Sequence, residues 1–259
     1  MWAALALLAA QDATPARPPD RRELSTDRPD KTESPYTVDA GRFQIELDVA
    51  TYTRDRSAGV RTETVGVAPI NVKYGLDRAT DLQFIVQPYI RQTVTDRRLD
   101  KRGTVDGIGD ATVRVKRNLW GDDGGRTAFA LMPFVTLPTA TDGLGAGKVE
   151  FGVIAPLAVA LSDRIGLGLM TELDVIGQGD GTGYRASFIN SATLGFALTE
   201  RLGMYTELFT ERGDDWVVTG DVGITFALSD YVQLDAGANL GVTRAADDLA
   251  VFVGVSRRF

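Results

Sequence analysis

Side-chain catalysis usually starts from a group that exchanges a proton near neutral pH or from one that holds a metal. This chain has no His and no Cys among its 259 residues. Ser-His-Asp, Cys-His and His- or Cys-ligated metal chemistry are therefore excluded. No catalytic residue, metal site or cofactor is expected. Carboxylates remain. Glu172 and Asp174 stand two apart and point the same way from an extended strand. They leave a paired-carboxylate hydrolase open, on the slender support of two adjacent acids. Asp142-Gly-Leu-Gly-Ala-Gly-Lys148 resembles a phosphate loop, but its spacing is one short and Val149 stands where Ser or Thr is required. A Gly-rich hairpin loop explains it better. The formal charge of -7 argues against nucleic acid, which needs a clustered basic footprint.

The charged and amide residues have another pattern: they alternate with apolar ones. Val222, Ile224, Phe226 and Leu228 alternate with Asp221, Gly223, Thr225 and Ala227. After Ser229-Asp230, Leu234, Ala236, Ala238 and Leu240 alternate with Gln233, Asp235, Gly237 and Asn239. Leu249, Val251, Val253 and Val255 lead to a terminal Phe259. Upstream, Phe43, Ile45, Leu47 and Val49 alternate with Gln44, Glu46 and Asp48, and Leu82, Phe84 and Val86 with Gln83 and Gln87. A period of two means strands with one apolar and one polar face. Each run is about ten residues or more, longer than the usual five or six and long enough to cross a bilayer as a tilted strand.

The breaks between runs are of two kinds. Gly75-Leu-Asp-Arg78, Leu161-Ser-Asp-Arg164, Leu198-Thr-Glu-Arg201 and Leu228-Ser-Asp-Tyr231 are tight and polar. Longer or Gly-rich breaks lie near 96–108, 139–148, 178–183 and 243–248. The expected fold is all-β: a closed antiparallel up-and-down transmembrane β-barrel of about 12 strands, with short periplasmic turns and periplasmic N- and C-termini. A soluble sandwich would repeat a strand and its turn every 8–12 residues, a span the strand alone fills here. Tyr74, Trp120, Phe196, Tyr205, Phe226 and Tyr231 near the tight turns suit an interfacial aromatic girdle.

Three regions follow. Residues 1–16 read as a signal peptide, with an apolar run from Trp2 to Ala10 and a cut after Ala10 or Ala16. Residues 17–40, rich in Pro, Asp and Arg, read as an extended segment that plugs the lumen or trails into the periplasm. Residues 41–259 form the barrel.

A charge on the lipid face near the midplane costs about 2–4 kcal/mol for Arg or Lys. The polar parity is therefore expected inside. Glu46, Asp48, Gln83, Gln87, Arg91, Arg114, Lys116, Glu172, Asp174, Glu207, Asp221, Asp235 and Asn239 are the candidate lumen lining. Its acids come from early and late strands and its bases from 91 to 116, giving walls of opposite charge. Arg91, Arg97, Arg98, Lys101 and Arg102 outnumber Asp96 and Asp100 around the 96–108 break. Facing outward they would meet lipopolysaccharide phosphates; a solvated loop is the competing reading.

The block Thr26-Asp-Arg-Pro-Asp-Lys-Thr-Glu-Ser-Pro-Tyr-Thr-Val38, followed by Gly41-Arg-Phe-Gln-Ile-Glu46, resembles the opening of the outer-membrane transporters grouped as the phenol meta-pathway degradation (MetA-pathway) family. Gly107-Ile-Gly-Asp110, Lys116-Arg-Asn-Leu-Trp-Gly121, Leu131-Met-Pro-Phe-Val-Thr-Leu-Pro-Thr139 and Leu144-Gly-Ala-Gly147 are similar to its later blocks. The resemblance implies an outer-membrane barrel that passes small molecules and is sometimes encoded with aromatic-degradation enzymes. The C-terminal run ending in Phe259 resembles the signal read by the barrel assembly machinery. The expected partners are outer-membrane lipid and lipopolysaccharide, that machinery during insertion, and a small solute, aromatic or an organic acid. A structural or surface-interaction outer-membrane barrel without transport is the alternative, with an outer-membrane hydrolase behind it.

Overall fold

A computed structural model of the chain describes residues 22–178 and 183–259. The expected signal peptide lies outside the described residues. Fifteen strand segments follow one another: β1 (Phe43–Ser57), β2 (Val60–Val67), β3 (Ile70–Asp77), β4 (Thr80–Val86), β5 (Tyr89–Asp96), β6 (Lys101–Gly107), β7 (Ala111–Trp120), β8 (Thr127–Leu137), β9 (Glu150–Ser162), β10 (Ile165–Gly177), β11 (Tyr184–Ala197), β12 (Leu202–Arg212), β13 (Trp216–Ser229), β14 (Val232–Gly241) and β15 (Leu249–Arg258). All pairings between them are antiparallel, and β15 pairs with β1, which closes the sheet.

The wall has twelve strands because three are each broken into two segments. β1 pairs with β3 through 43–47 and with β2 through 50–57, so β2 and β3 are halves of one strand. β4 with β5, and β6 with β7, are halves of the next two. The breaks fall at Ala68-Pro69, Gln87-Pro88 and Ile108-Gly-Asp110. Pro has no N–H for a ladder, and Ala68 takes a positive φ of 54°. The kinks are stitched to their neighbours: Asp48 N donates to Pro69 O at 3.0 Å and Gly109 N to Gln87 O at 2.9 Å. β6 is the exception to the expected layout. The stretch 96–108 is not one long loop; Lys101–Gly107 pairs with β5, and only 97–100 turns. Its charged composition hid a strand whose partners are supplied by the hairpin.

The faces are inverted relative to a soluble protein. Val153, Phe188, Leu208, Ile224 and Val253 are exposed on the outside. Gln44, Glu46, Lys73, Asp81, Gln83, Lys116, Thr193 and Asp221 are buried inside. Exposed apolar residues in a continuous band around a closed sheet are what hydrocarbon selects, since only a barrel or a helix satisfies every backbone group there. Phe43 packs at a tilt against Tyr74 (4.6 Å) and Trp120 stacks on Phe129 (4.8 Å) near the end that carries the connections 78–79, 121–126, 163–164, 198–201 and 230–231. Tyr205 is not part of that girdle. It is fully buried inside the cylinder, because it falls on the inward parity of β12 with Glu207.

Ile224 sits in the outward row of β13 between Val222 and Phe226. Ile224→Arg should lower unfolding stability by about 2–4 kcal/mol in urea titrations of the vesicle-inserted protein. A loss under about 1 kcal/mol would place this row at the interface rather than in the hydrocarbon.

Candidate functional site

The inner face offers two charged walls. Glu46 and Asp48 on β1, and Glu207, Asp221 and Asp235 on β12, β13 and β14, form an acidic one. Lys73 on β3 with Arg114 and Lys116 on β7 form a basic one. Alternation puts each of them inside for the same reason that it puts Val72, Tyr74, Val113 and Val115 outside.

Residues 22–40 cross this lumen as an extended strap, and its charges answer those of the wall in order. The Asp27 carboxylate receives the ammonium groups of Lys73 and Lys116, the latter at 2.5 Å, together with Ser34 N and Gln83 Nε2. Burial alone would raise the Asp27 carboxyl; Lys116 and Lys73 outweigh it and hold it well below the usual carboxylate range. Asp27 N donates in turn to Glu46 at 3.0 Å. Arg28 bridges Asp235 and Asp48, each at 2.7 Å, and lies over the Phe252 ring. Asp235 and Asp48 flank β15, so this one guanidinium spans the seam where the barrel closes. Gly254 leaves room for the guanidinium, which a Cβ there, 2.1 Å from Arg28 Nη2, would push aside.

Farther along, Lys31 Nζ meets Asp221 at 3.1 Å, while Lys31 N, Thr32 N and the Thr32 hydroxyl all donate to Glu207. Glu207 and Asp221 stand directly opposite each other across β12 and β13. Like charges so placed repel, and the strap supplies both the cation and the donors that offset them. Glu33 then reverses sign and pairs with Arg114 at 2.5 Å. Asn118 Nδ2 donates to Pro35 O and Lys116 Nζ to Tyr36 O. The Tyr36 ring packs on the cluster of Ala128, Ala158 and Tyr205. The strap leaves along β4 and β3, where Val38 N donates to Asp81 of β4 at 3.0 Å and Ala40 bridges to Gly75 of β3. A Cβ on Gly75 would collide with Asp39 O at 2.1 Å, so this exit requires glycine.

One inner sector is apolar. Met132, Ile154 and Met170 pack together with Phe134 and Ile189, on β8 to β11. Glu172 and Asp174 continue the same inward row of β10, with Gly152 beside Asp174.

The structure thus brings Glu46, Asp48, Gln83, Arg114, Lys116, Glu207, Asp221 and Asp235 together around the strap. Asn239 pairs across from Asp221 and shares its face. Gln87 sits at a kink, its side chain against Gly66 and Gly109. Arg91 departs from the expected lining. It pairs with Val65, which pairs with Tyr52, which pairs with Val251, all on the outer face. The extra residues at Gln87-Pro88 reverse the parity between β4 and β5, so alternation read from Leu82 points the wrong way beyond the break. Sequence reasoning passed over Gln44, Lys73, Asp81, Asn118 and Gln233, although Lys73 between Val72 and Tyr74 carries the same signal as the residues it chose.

Solved structures of similar fold include the COG4313 outer membrane channel from Pseudomonas putida F1 (12% identity, 86% of this chain and 97% of that one, TM-score 0.64). They include the NanC porin (9% identity, 82% and 98%, TM-score 0.53). The translocator domain of the autotransporter NalP from Neisseria meningitidis is also similar (12% identity, 85% and 90%, TM-score 0.52). No curated protein matches the chain. The fold is that of an outer-membrane barrel. The model of the family described as "Putative MetA-pathway of phenol degradation" matches residues 26–259, from the strap to the terminal Phe, and the chain belongs to that family.

Proposed function

We propose that this protein is an outer-membrane channel for small solutes whose lumen is plugged by its own N-terminal strap. The observation that carries the reading is the charge register between strap and wall. Cations at 28 and 31 meet the acidic wall, and anions at 27 and 33 meet the basic one. A segment matched residue by residue to a lumen is a closure element rather than a tail. The end with the tight turns and both ends of the strand array faces the periplasm, as short turns do in bacterial barrels. The leader at 1–16 directs export.

The solute is a small aromatic compound or an organic acid. The family description names phenol degradation. The Met132, Phe134, Ile154, Met170 and Ile189 sector offers an apolar flank, and Arg114 with Lys116 a cationic one. Phe and Met give polarisable surface suited to flat apolar solutes. Passage is favoured over turnover because the chain has no His to act as base. Similarity of fold alone would not decide this, since the barrel also serves a translocator. A structural barrel without transport is separated by liposome swelling: solute-dependent swelling supports a channel.

Deleting residues 25–38 should raise single-channel conductance in planar bilayers, and unchanged conductance of a folded barrel would remove the plug. Asp27→Ala leaves Lys116 without its carboxylate in a buried site, a loss of about 3–5 kcal/mol for a broken buried pair. The strap should unseat, seen as more frequent openings and faster proteolysis within 22–40, while the unheated protein keeps its compact gel migration. Asp27→Glu, which retains the charge, should fall between this variant and the wild type.

A further inference from the structure

Three rows of paired residues run across β1, β2, β5 and β6 above the kinks. They read Tyr52, Val65, Arg91, Asp106; then Arg54, Glu63, Thr93, Thr104; then Arg56, Arg61, Thr95, Arg102. Residues paired across strands share a face. The first row continues through Val251 and Ala238 to Val222, so all three rows face outward. Five guanidinium groups share this surface with two carboxylates. Glu63 accepts from Tyr52 Oη at 2.7 Å and from Arg61 at 2.5 Å, and Asp106 stands 3.9 Å from Arg91.

Two details point to an anionic occupant. Arg56 and Arg61 are directly opposite each other, and Glu63, which Arg61 engages, is one carboxylate against the guanidinium groups of Arg54, Arg56 and Arg61, so a further anion beside them relieves the repulsion. All five cations are Arg, whose planar fork binds phosphate oxygens in pairs. A third detail says what carries the phosphate. The patch borders directly on apolar surface: Arg54 pairs with Leu249, which pairs with Leu240, and below the first row lie Ala50, Val67 and Tyr89. A free anion has no use for that border, whereas an amphiphile lays its headgroup on the arginines and its chains on the valines and leucines.

We infer that the outward face of β1, β2, β5 and β6 docks the phosphate-bearing headgroup of lipid A, with Arg54, Arg61, Arg91 and Arg102 as the phosphate contacts. The inference rests on the orientation proposed above, since this lipid lies in the outer leaflet. The turn residues Arg97 and Arg98, at the tip of the β5–β6 hairpin, are outside the patch.

The test uses the full chain extracted from outer membranes in mild detergent, with co-purifying lipid A counted by native mass spectrometry. The combined variant Arg54→Gln, Arg61→Gln, Arg91→Gln and Arg102→Gln should retain lipid A at least about tenfold more weakly, as each Arg near an anionic surface adds roughly a fivefold step. Arg97→Gln with Arg98→Gln should retain it as the wild type does. Both variants should show the heat-dependent gel shift of a folded barrel. Undiminished lipid A on the four-site variant overturns the inference. So does equal retention of lipid A stripped of its phosphates, or equal thermal stabilisation by inorganic phosphate or by phosphatidylglycerol. The variant Arg98→Cys, in a chain with no native Cys, should react with an impermeant maleimide in intact cells. Reaction only after permeabilisation would overturn the orientation first, and the lipid A site with it.

Discussion

The constraint beneath everything else is that hydrocarbon offers no partner to a backbone N–H or C=O. A strand can enter it only with a neighbour on each side. The β15–β1 pairing meets that demand at the last open edge, joining the two ends of the strand array through Gln44–Arg54 and Leu249–Arg258. Once the sheet is closed, alternation fixes the remainder. One parity must be apolar and face out, and the other, with nowhere else to go, fills the interior with polar groups.

The wall pairs some of its own charges, Lys73 with Glu46 among them, but not all of them. Glu207 faces Asp221 across a pair, and Lys73 and Lys116 converge on one place. Each of these is unfavourable until something of opposite sign arrives. The strap is that component, and its sequence is a template of the wall's imbalance: anion, cation, cation, anion at 27, 28, 31 and 33. Buried ion pairs add little net stability over apolar contacts but are costly to break on one side. That asymmetry fits a part that holds one register in the lumen. Arg28 couples the two tasks, because its carboxylate partners stand on either side of the closing strand.

Much of this was legible in the sequence, for a physical reason. Alternation over ten or more residues survives any detail of packing, so the strands, the closed barrel, the tight turns and most of the lining could be read from residue type. What could not be read was anything that depends on a break in the count. The extra residues at Gln87-Pro88 turn Arg91 outward. Lys101–Gly107 has Val105 as its one large apolar residue and looks like a loop until its pairing with β5 is known. The partners of the strap lie as far as 207 residues away for Arg28 and Asp235, beyond any local signal. Tyr205 shows the remaining weakness: its aromatic type suggested the membrane interface, while its parity, shared with Glu207, already placed it inside.

The three kinks explain how one barrel carries two unlike surfaces on the same strands. Below them, on β3, β4 and β7, charged residues point inward to Lys73, Asp81 and Lys116 positions that the strap engages. Above them, on β2, β5 and β6, the parity is shifted and charged residues point out, at Arg61, Arg91 and Arg102. A strand that crossed without a break would have to choose, because a single register assigns each parity one side for its whole length. Pro69 and Pro88 do more than interrupt hydrogen bonds: they change which face the charges occupy. The same break leaves β6 as an edge without a second neighbour. That edge is tolerable because Lys101, Arg102 and Asp106 make it charged and unattractive to another strand.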